Sequence, residues 1–204
     1  SLAKRGLKVV GIDRFEPGHD RGSSHGMTRV IRKAYFEAPE YVPLLERAYE
    51  LWDELEHHSG ESLFMRCGVL EVGPPDGEVV PGVLRAARTH NLPVESLTGA
   101  EVERRFPGFR VPEGFAGVFE SDGGILRVER CVALQCDRAQ KLGAELRSGH
   151  TILSVNREGD SYLIQTDKGP IYANALVVTA GAWARDLLPD LAPLLKVVRK
   201  VLLW

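Results

Sequence analysis

A carboxylate at the end of an apolar strand and two arginines three residues apart are the groups whose placement in this chain suggests chemistry. The strand Val9-Val10-Gly11-Ile12 ends in Asp13, and the turn Gly22-Ser23-Ser24-His25-Gly26-Met27-Thr28 runs into Arg29-Val30-Ile31-Arg32. An acid closing the second strand of a βαβ unit is where dinucleotide-binding folds set a carboxylate against a ribose hydroxyl. A spacing of three puts both guanidiniums on one face of a short helix. A ribose-binding acid followed by two arginines points to a redox site for an anionic substrate.

The elements that must position these groups are only partly present. A Gly-x-Gly-x-x-Gly fingerprint belongs roughly 20 residues before such an acid. Twelve residues precede Asp13, and the first seven hold one glycine. That segment reads as the tail of a helix, a stop at Gly6, and then the strand. The chain is therefore expected to begin inside the first βαβ unit.

Composition narrows the class. The 204 residues allow one large domain or two small ones. With 26 basic and 28 acidic side chains the charge is nearly balanced, so no nucleic-acid partner is implied. No apolar run approaches the roughly 20 residues that span a bilayer, so no membrane partner is expected. The start carries no signal-like apolar core. Cys67, Cys131 and Cys136 form no Cys-x-x-Cys pair; a sparse odd set fits buried thiols in a reducing, cytoplasmic compartment.

Periodicity predicts an amphipathic helix whose apolar stripe is Leu44, Leu45, Ala48, Leu51, Trp52 and Leu55. His57 and His58 at its end point in different directions, so no metal site is expected there. Residues 63–74 read as a strand closed by Gly73-Pro74. Helices are predicted around 83–92, over 99–106 after the cap Thr98, and from about Val128 to Gly143. A strand is predicted at Ala116–Glu120, and a hairpin from 161–166 and 171–173. Ala175–Thr179 is continuously apolar and predicts a strand buried on both faces. A helix follows the glycine at 181, and residues 197–204 read as a final strand. Trp52 and Trp183 are expected in the core.

Several of these segments resemble one family. Arg21-Gly22-Ser23-Ser24-His25-Gly26 with Thr28-Arg29-Val30-Ile31-Arg32 is similar to the turn of monomeric sarcosine oxidases, N-methyltryptophan oxidases and peroxisomal sarcosine/pipecolate oxidases. Cys67-Gly68-Val69-Leu70, Phe106-Pro107-Gly108, Gly123-Gly124-Ile125-Leu126 and Thr179-Ala180-Gly181-Ala182-Trp183 extend the likeness in order across nearly the whole chain. These are D-amino-acid-oxidase-like FAD enzymes. The resemblance implies an α/β fold: an FAD-binding, glutathione-reductase-like domain with an inserted smaller α+β substrate domain of mainly antiparallel sheet. Residues 1–62 and 126–190 would form the incomplete cofactor domain, and 63–125 with 191–204 the incomplete substrate domain.

The resemblance also implies roles. Asp13 would hold the adenosine ribose, Ser23 and Ser24 would lie along the FAD, and Ile152 would offer backbone groups to the adenine. Ala180, Gly181 and Ala182 would pass close to the cofactor. Arg29 would sit near the flavin ring and Arg32 would bind the substrate carboxylate, a task suited to a two-pronged donor. His25 is read either as a catalytic base or as a packing and hydrogen-bonding residue beside the cofactor. The implied reaction moves a hydride from an amino-acid C–H to the flavin, with molecular oxygen as reoxidant and hydrogen peroxide as product. The implied substrate is a secondary N-methyl amino acid such as sarcosine. Glycine oxidase-like or dimethylglycine dehydrogenase-like chemistry and a non-catalytic fragment stay open beside it. The family's phosphate loop would lie before Ser1, and its flavin-linking cysteine, oxygen-activating lysine and second substrate-binding base beyond Trp204. A eukaryotic source would make the compartment peroxisomal.

Overall fold

The computed structural model describes residues 2–199 and Val201. Internal contacts divide the chain into two compact units: residues up to His25 together with those from Val132 onward, and Gly26–Cys131.

The first unit opens with a 3-10 turn, Ala3–Arg5, stopped by Gly6 in the left-handed conformation, and strand β1 (Val10–Ile12). The chain then enters the second unit through β2 (Thr28–Ile31), α1 (Val42–Ser59), β3 (Phe64–Met65), β4 (Val69–Gly73) and α2 (Val79–His90). It continues through β5 (Glu95–Thr98), α3 (Gly99–Arg105), β6 (Ala116–Glu120) and β7 (Gly124–Arg127). Helix α4 (Val128–Lys141) contains the division between units. Back in the first unit come β8 (Glu145–Arg147), β9 (Ile152–Glu158), β10 (Ser161–Thr166), β11 (Gly169–Ala173) and α5 (Ala184–Leu187).

The second unit holds two antiparallel sheets, ordered β2-β7-β3 and β4-β6-β5. Its core gathers Ala34, Val80, Val83 and Val118, with Phe36, Leu92 and Val94 packed against them. The capping box between Thr98 and Glu101 starts α3 as the sequence predicts. Glu120, a buried carboxylate at the end of β6, accepts the backbone N–H groups of Lys33 and Ala34 at 2.8 and 2.9 Å. That bond fixes the chain just past the arginine turn. The first unit pairs β1 with β8 in parallel and carries the antiparallel sheet β11-β10-β9. The mixed α/β class with antiparallel sheet is thus the observed one.

Four expectations are corrected. The stretch 63–74 is two strands in different sheets, broken at Gly68, whose φ of 80° turns the chain. The buried line of α1 is Val42, Tyr49 and Leu55, while Leu44 and Leu51 are exposed; the helix is anchored by Tyr49, edge-on to the Phe64 ring at 5.1 Å. The apolar run 175–179 forms no strand, and Val177 is 67% exposed. No described strand pairs with it, and a strand without a ladder has no backbone partner to hold it. Of the strand expected over 197–204, residues 197–199 and 201 are not in a strand and the others lie outside the described residues.

The unit boundaries also differ from the domain limits read from the sequence. β2 and α1 belong to the unit of the middle segment, because β2 pairs with β7 and α1 packs on β3.

Candidate functional site

In the first unit, β1 and β8 run parallel with Ile12 opposite Arg147, and Asp13 follows at the carboxyl end of β1. The Asp13 N–H donates to the Arg147 carbonyl at 3.0 Å, and the His150 N–H donates to the Asp13 carbonyl at 3.1 Å. These bonds hold the backbone of Asp13 to the sheet and leave its side chain 57% exposed. One carboxylate oxygen, Oδ1, accepts the Phe15 N–H at 2.8 Å. The other, Oδ2, lies 3.8 Å from His19 Nε2.

A cleft of about 680 Å³ opens at the carboxyl ends of these two strands, the place where open α/β sheets bind ligands. It is lined by Asp13, Ser23, Ser24, Ile152, Ala180 and Gly181, so one cavity collects six of the positions singled out in the sequence. Leu146, Val155, Leu176 and Val178 give it apolar walls. Gly181 turns the chain at its rim with φ +54°, a conformation that a side chain rarely adopts. Trp183 lines the cleft too and is 41% exposed, not buried in a core. His25 belongs to the same unit and Ala182 to the same turn, but neither lines the cleft.

Arg29 and Arg32 fall in the second unit. They do not share a helix face. Thr28, Val30 and Ile31 are β-branched, and the segment pairs as β2 with β7, Arg29 opposite Leu126. Arg29 thus lies within the strand and Arg32 one residue past its end. The turn before β2 is held by Glu129 in the first turn of α4. Its Oε1 accepts the N–H groups of Gly26 and Met27 at 2.6 and 3.0 Å, both residues having positive φ.

Arg32 is 15% exposed and closely surrounded. Its guanidinium stacks 4.4 Å from the Tyr35 ring centre and 5.7 Å from that of Phe36. Nε lies 3.0 Å from Glu71 Oε1, yet it lacks the alignment of a hydrogen bond, so the contact is an ion pair more than a directed bond. Glu37 stands 3.8 Å from the far nitrogen. Burial pushes the Glu71 carboxyl up to about 7, and Arg32 opposes that shift only in part. Glu71, Glu129 and His19 are contributors that the sequence pattern does not single out. Each acts through a partner that only the fold brings near, except His19, whose spacing to Asp13 is a faint local signal.

Among the described residues no cluster of His, Cys, Asp and Glu is placed to hold a metal ion, and no helix is long and apolar enough to cross a membrane. Cys131 is buried, Cys136 half-buried and Cys67 exposed, which corrects the expectation for Cys67.

An exposed carboxylate at the end of a parallel strand, with a cleft beyond it, is the arrangement that dinucleotide-binding α/β folds use. Residues 1–203 match the family model described as FAD dependent oxidoreductase, and the chain belongs to that family. It is 37% identical over 201 residues to N-methyl-L-tryptophan oxidase of Salmonella typhimurium, covering 98% of this chain and 54% of that protein. It is 38% identical over 203 residues to monomeric sarcosine oxidase of Streptomyces avermitilis, covering 100% and 53%. The open form of NikD, an unusual amino acid oxidase essential for nikkomycin biosynthesis, superposes with a TM-score of 0.81 at 29% identity, over 93% of this chain and 49% of that one. Glycine oxidase from Geobacillus kaustophilus shares the fold, with a TM-score of 0.73 at 21% identity, over 94% and 53%. The chain spans about half the length of the curated relatives it matches.

FAD is the cofactor of this family, and the cleft fits its adenosine end: a carboxylate for hydroxyl groups, apolar walls for a base, and a tight glycine turn. No Gly-x-Gly-x-x-Gly occurs between Ser1 and β1.

Proposed function

We propose that this chain contributes the adenosine-binding cleft and one substrate-binding arginine to an FAD-dependent oxidase of a secondary amino acid, of the N-methyl type that includes sarcosine. The observation that carries the reading is the cleft at the carboxyl ends of β1 and β8 with the Asp13 carboxylate exposed in it. The two curated relatives named as oxidases of N-methyl-L-tryptophan and of sarcosine support the substrate class.

In this reading the first unit is cofactor-binding and the second substrate-binding. Asp13 accepts hydrogen bonds from the ribose, Ile152 at the start of β9 faces the base, and Ser23 and Ser24 flank the cofactor. Ala180, Gly181 and Ala182 approach it through backbone alone. His25 orders the loop beside it, and Arg29 stands toward the flavin ring. Arg32 receives the substrate carboxylate. Its fork has five N–H donors, so a ligand carboxylate either joins Glu71 and Glu37 around the guanidinium or displaces one of them. The chemistry supplied by bound FAD is two-electron oxidation of the amine C–N bond, with molecular oxygen as final acceptor and hydrogen peroxide as product.

The test is gel filtration of the purified chain with FAD, followed by a peroxide assay with sarcosine and N-methyltryptophan. Flavin absorbance co-eluting with the chain and peroxide release on either amine support the reading. Dye reduction without peroxide would replace the oxidase by a dehydrogenase. A chain that stays colourless with FAD overturns the cofactor role and leaves the non-catalytic alternative.

A further inference from the structure

We propose that His19 is a second ribose-binding residue, gripping the same hydroxyl as Asp13 from the opposite side. The inference rests on the cofactor reading of the cleft. His19 and Asp13 both line that cleft.

The tautomer of His19 follows from its partner. The Arg21 backbone N–H can only donate, and it donates to His19 Nδ1 at 3.0 Å. Nδ1 is therefore the acceptor, and the ring proton of the neutral imidazole sits on Nε2. The ring is held in place: it packs against Phe15 at 4.9 Å between centroids, and the His19 N–H donates to the Glu16 carbonyl at 3.2 Å. Only 23% of the side chain is exposed.

Nε2, which carries the proton, lies 3.8 Å from Asp13 Oδ2. That gap is too long for a direct hydrogen bond, which spans about 2.7–3.2 Å. It matches one oxygen placed about 2.8 Å from each atom. The bridging group must accept from Nε2–H and donate to the carboxylate at once. A hydroxyl does both, and so does the water that a sugar hydroxyl would displace; a carbonyl cannot donate, and an ammonium cannot accept. Oδ1 already accepts the Phe15 N–H, and Oδ2 is the oxygen that lies 3.8 Å from His19 Nε2. The pair is a receptor for a sugar hydroxyl of a nucleotide, with the histidine supplying the donor that a lone aspartate lacks.

Titration calorimetry of the chain with ADP, 2′-deoxy-ADP and 3′-deoxy-ADP tests this. His19→Asn keeps an acceptor close to the backbone for the Arg21 N–H but removes the donor at the Nε2 position; His19→Gln restores a donor there. His19→Asn should weaken ADP about three- to tenfold, one hydrogen bond's worth. His19→Gln should recover most of that loss. The variant and wild type should bind one of the two deoxy analogues equally, since the shared hydroxyl is then absent. His19→Asn binding ADP like the wild type overturns the proposal, as does an equal loss for all three nucleotides, which would mark a loop effect. A wild-type chain that binds neither ADP nor FAD refutes the cofactor reading itself, and the proposal with it.

Discussion

At the residue scale the second unit carries an unusual charge for its depth. Glu71 is 14% exposed, and burial raises its carboxyl to about 7 despite Arg32 beside it. A carboxyl with a raised folded pKa binds its proton more tightly in the fold than in the unfolded chain. The stability it lends is full below the unfolded value and is lost as pH rises through about 7. This group alone should make the chain about 2 kcal/mol less stable at about pH 8 than at about pH 5. Glu71→Gln, neutral throughout, should flatten that difference. Urea unfolding of both proteins at the two pH values measures it, and an unchanged slope in the variant would sink the assignment. Asp13 is legible from sequence because an acid after an apolar strand is a local pattern. The surroundings of Arg32 are not: Glu71 lies 39 positions away, and nothing in residue type marks it as a buried partner. The arginine turn misleads for a related reason. A spacing of three fits a helix face equally well, and only pairing with β7, which cannot be seen in the segment itself, decides for a strand.

At the element scale, what the sequence predicts well is what local chemistry determines. The capping box at Thr98, the hairpin of β10 and β11 and the helix from Val128 all form where expected. What it misses depends on pairing partners: one apolar run at 63–74 serves two sheets, and another at 175–179 pairs with none of the described strands. Gly124 shows how tightly such pairings are fitted. It opens β7 between β2 and β3. A Cβ there would overlap the Met65 carbonyl oxygen and come within 3.0 Å of Arg66 Cα and Cys67 N. These are backbone atoms that cannot rotate away. Gly124→Ala should therefore destabilise the second unit by about 3 kcal/mol or more. Denaturant unfolding followed by circular dichroism is the check, and a midpoint equal to the wild type's would show that the sheet has slack.

At the scale of the whole molecule the two units are unequally filled. Among the described residues, the buried apolar side chains of the first unit are Ala3, Ala144 and Ile164; the rest of the core belongs to the second. A unit with so little buried surface opens easily, and a ligand that binds only its closed form stabilises it by mass action. Hydrogen exchange should therefore be fast across β1, β8 and β9–β11 and slow in α2 and β6. FAD or ADP should slow the first group and leave the second unchanged. Equal protection in both units without ligand would contradict this picture. The thin core also changes what the aromatic side chains of the cleft are available for. Trp183 stands half out of the protein with Phe15 6.4 Å from it, on the wall of the same cleft. An indole emits where a flavin absorbs, so this tryptophan should serve as an optical probe of the proposed site: its fluorescence should dim on adding FAD if the cofactor fills this cleft, and stay unchanged if it does not.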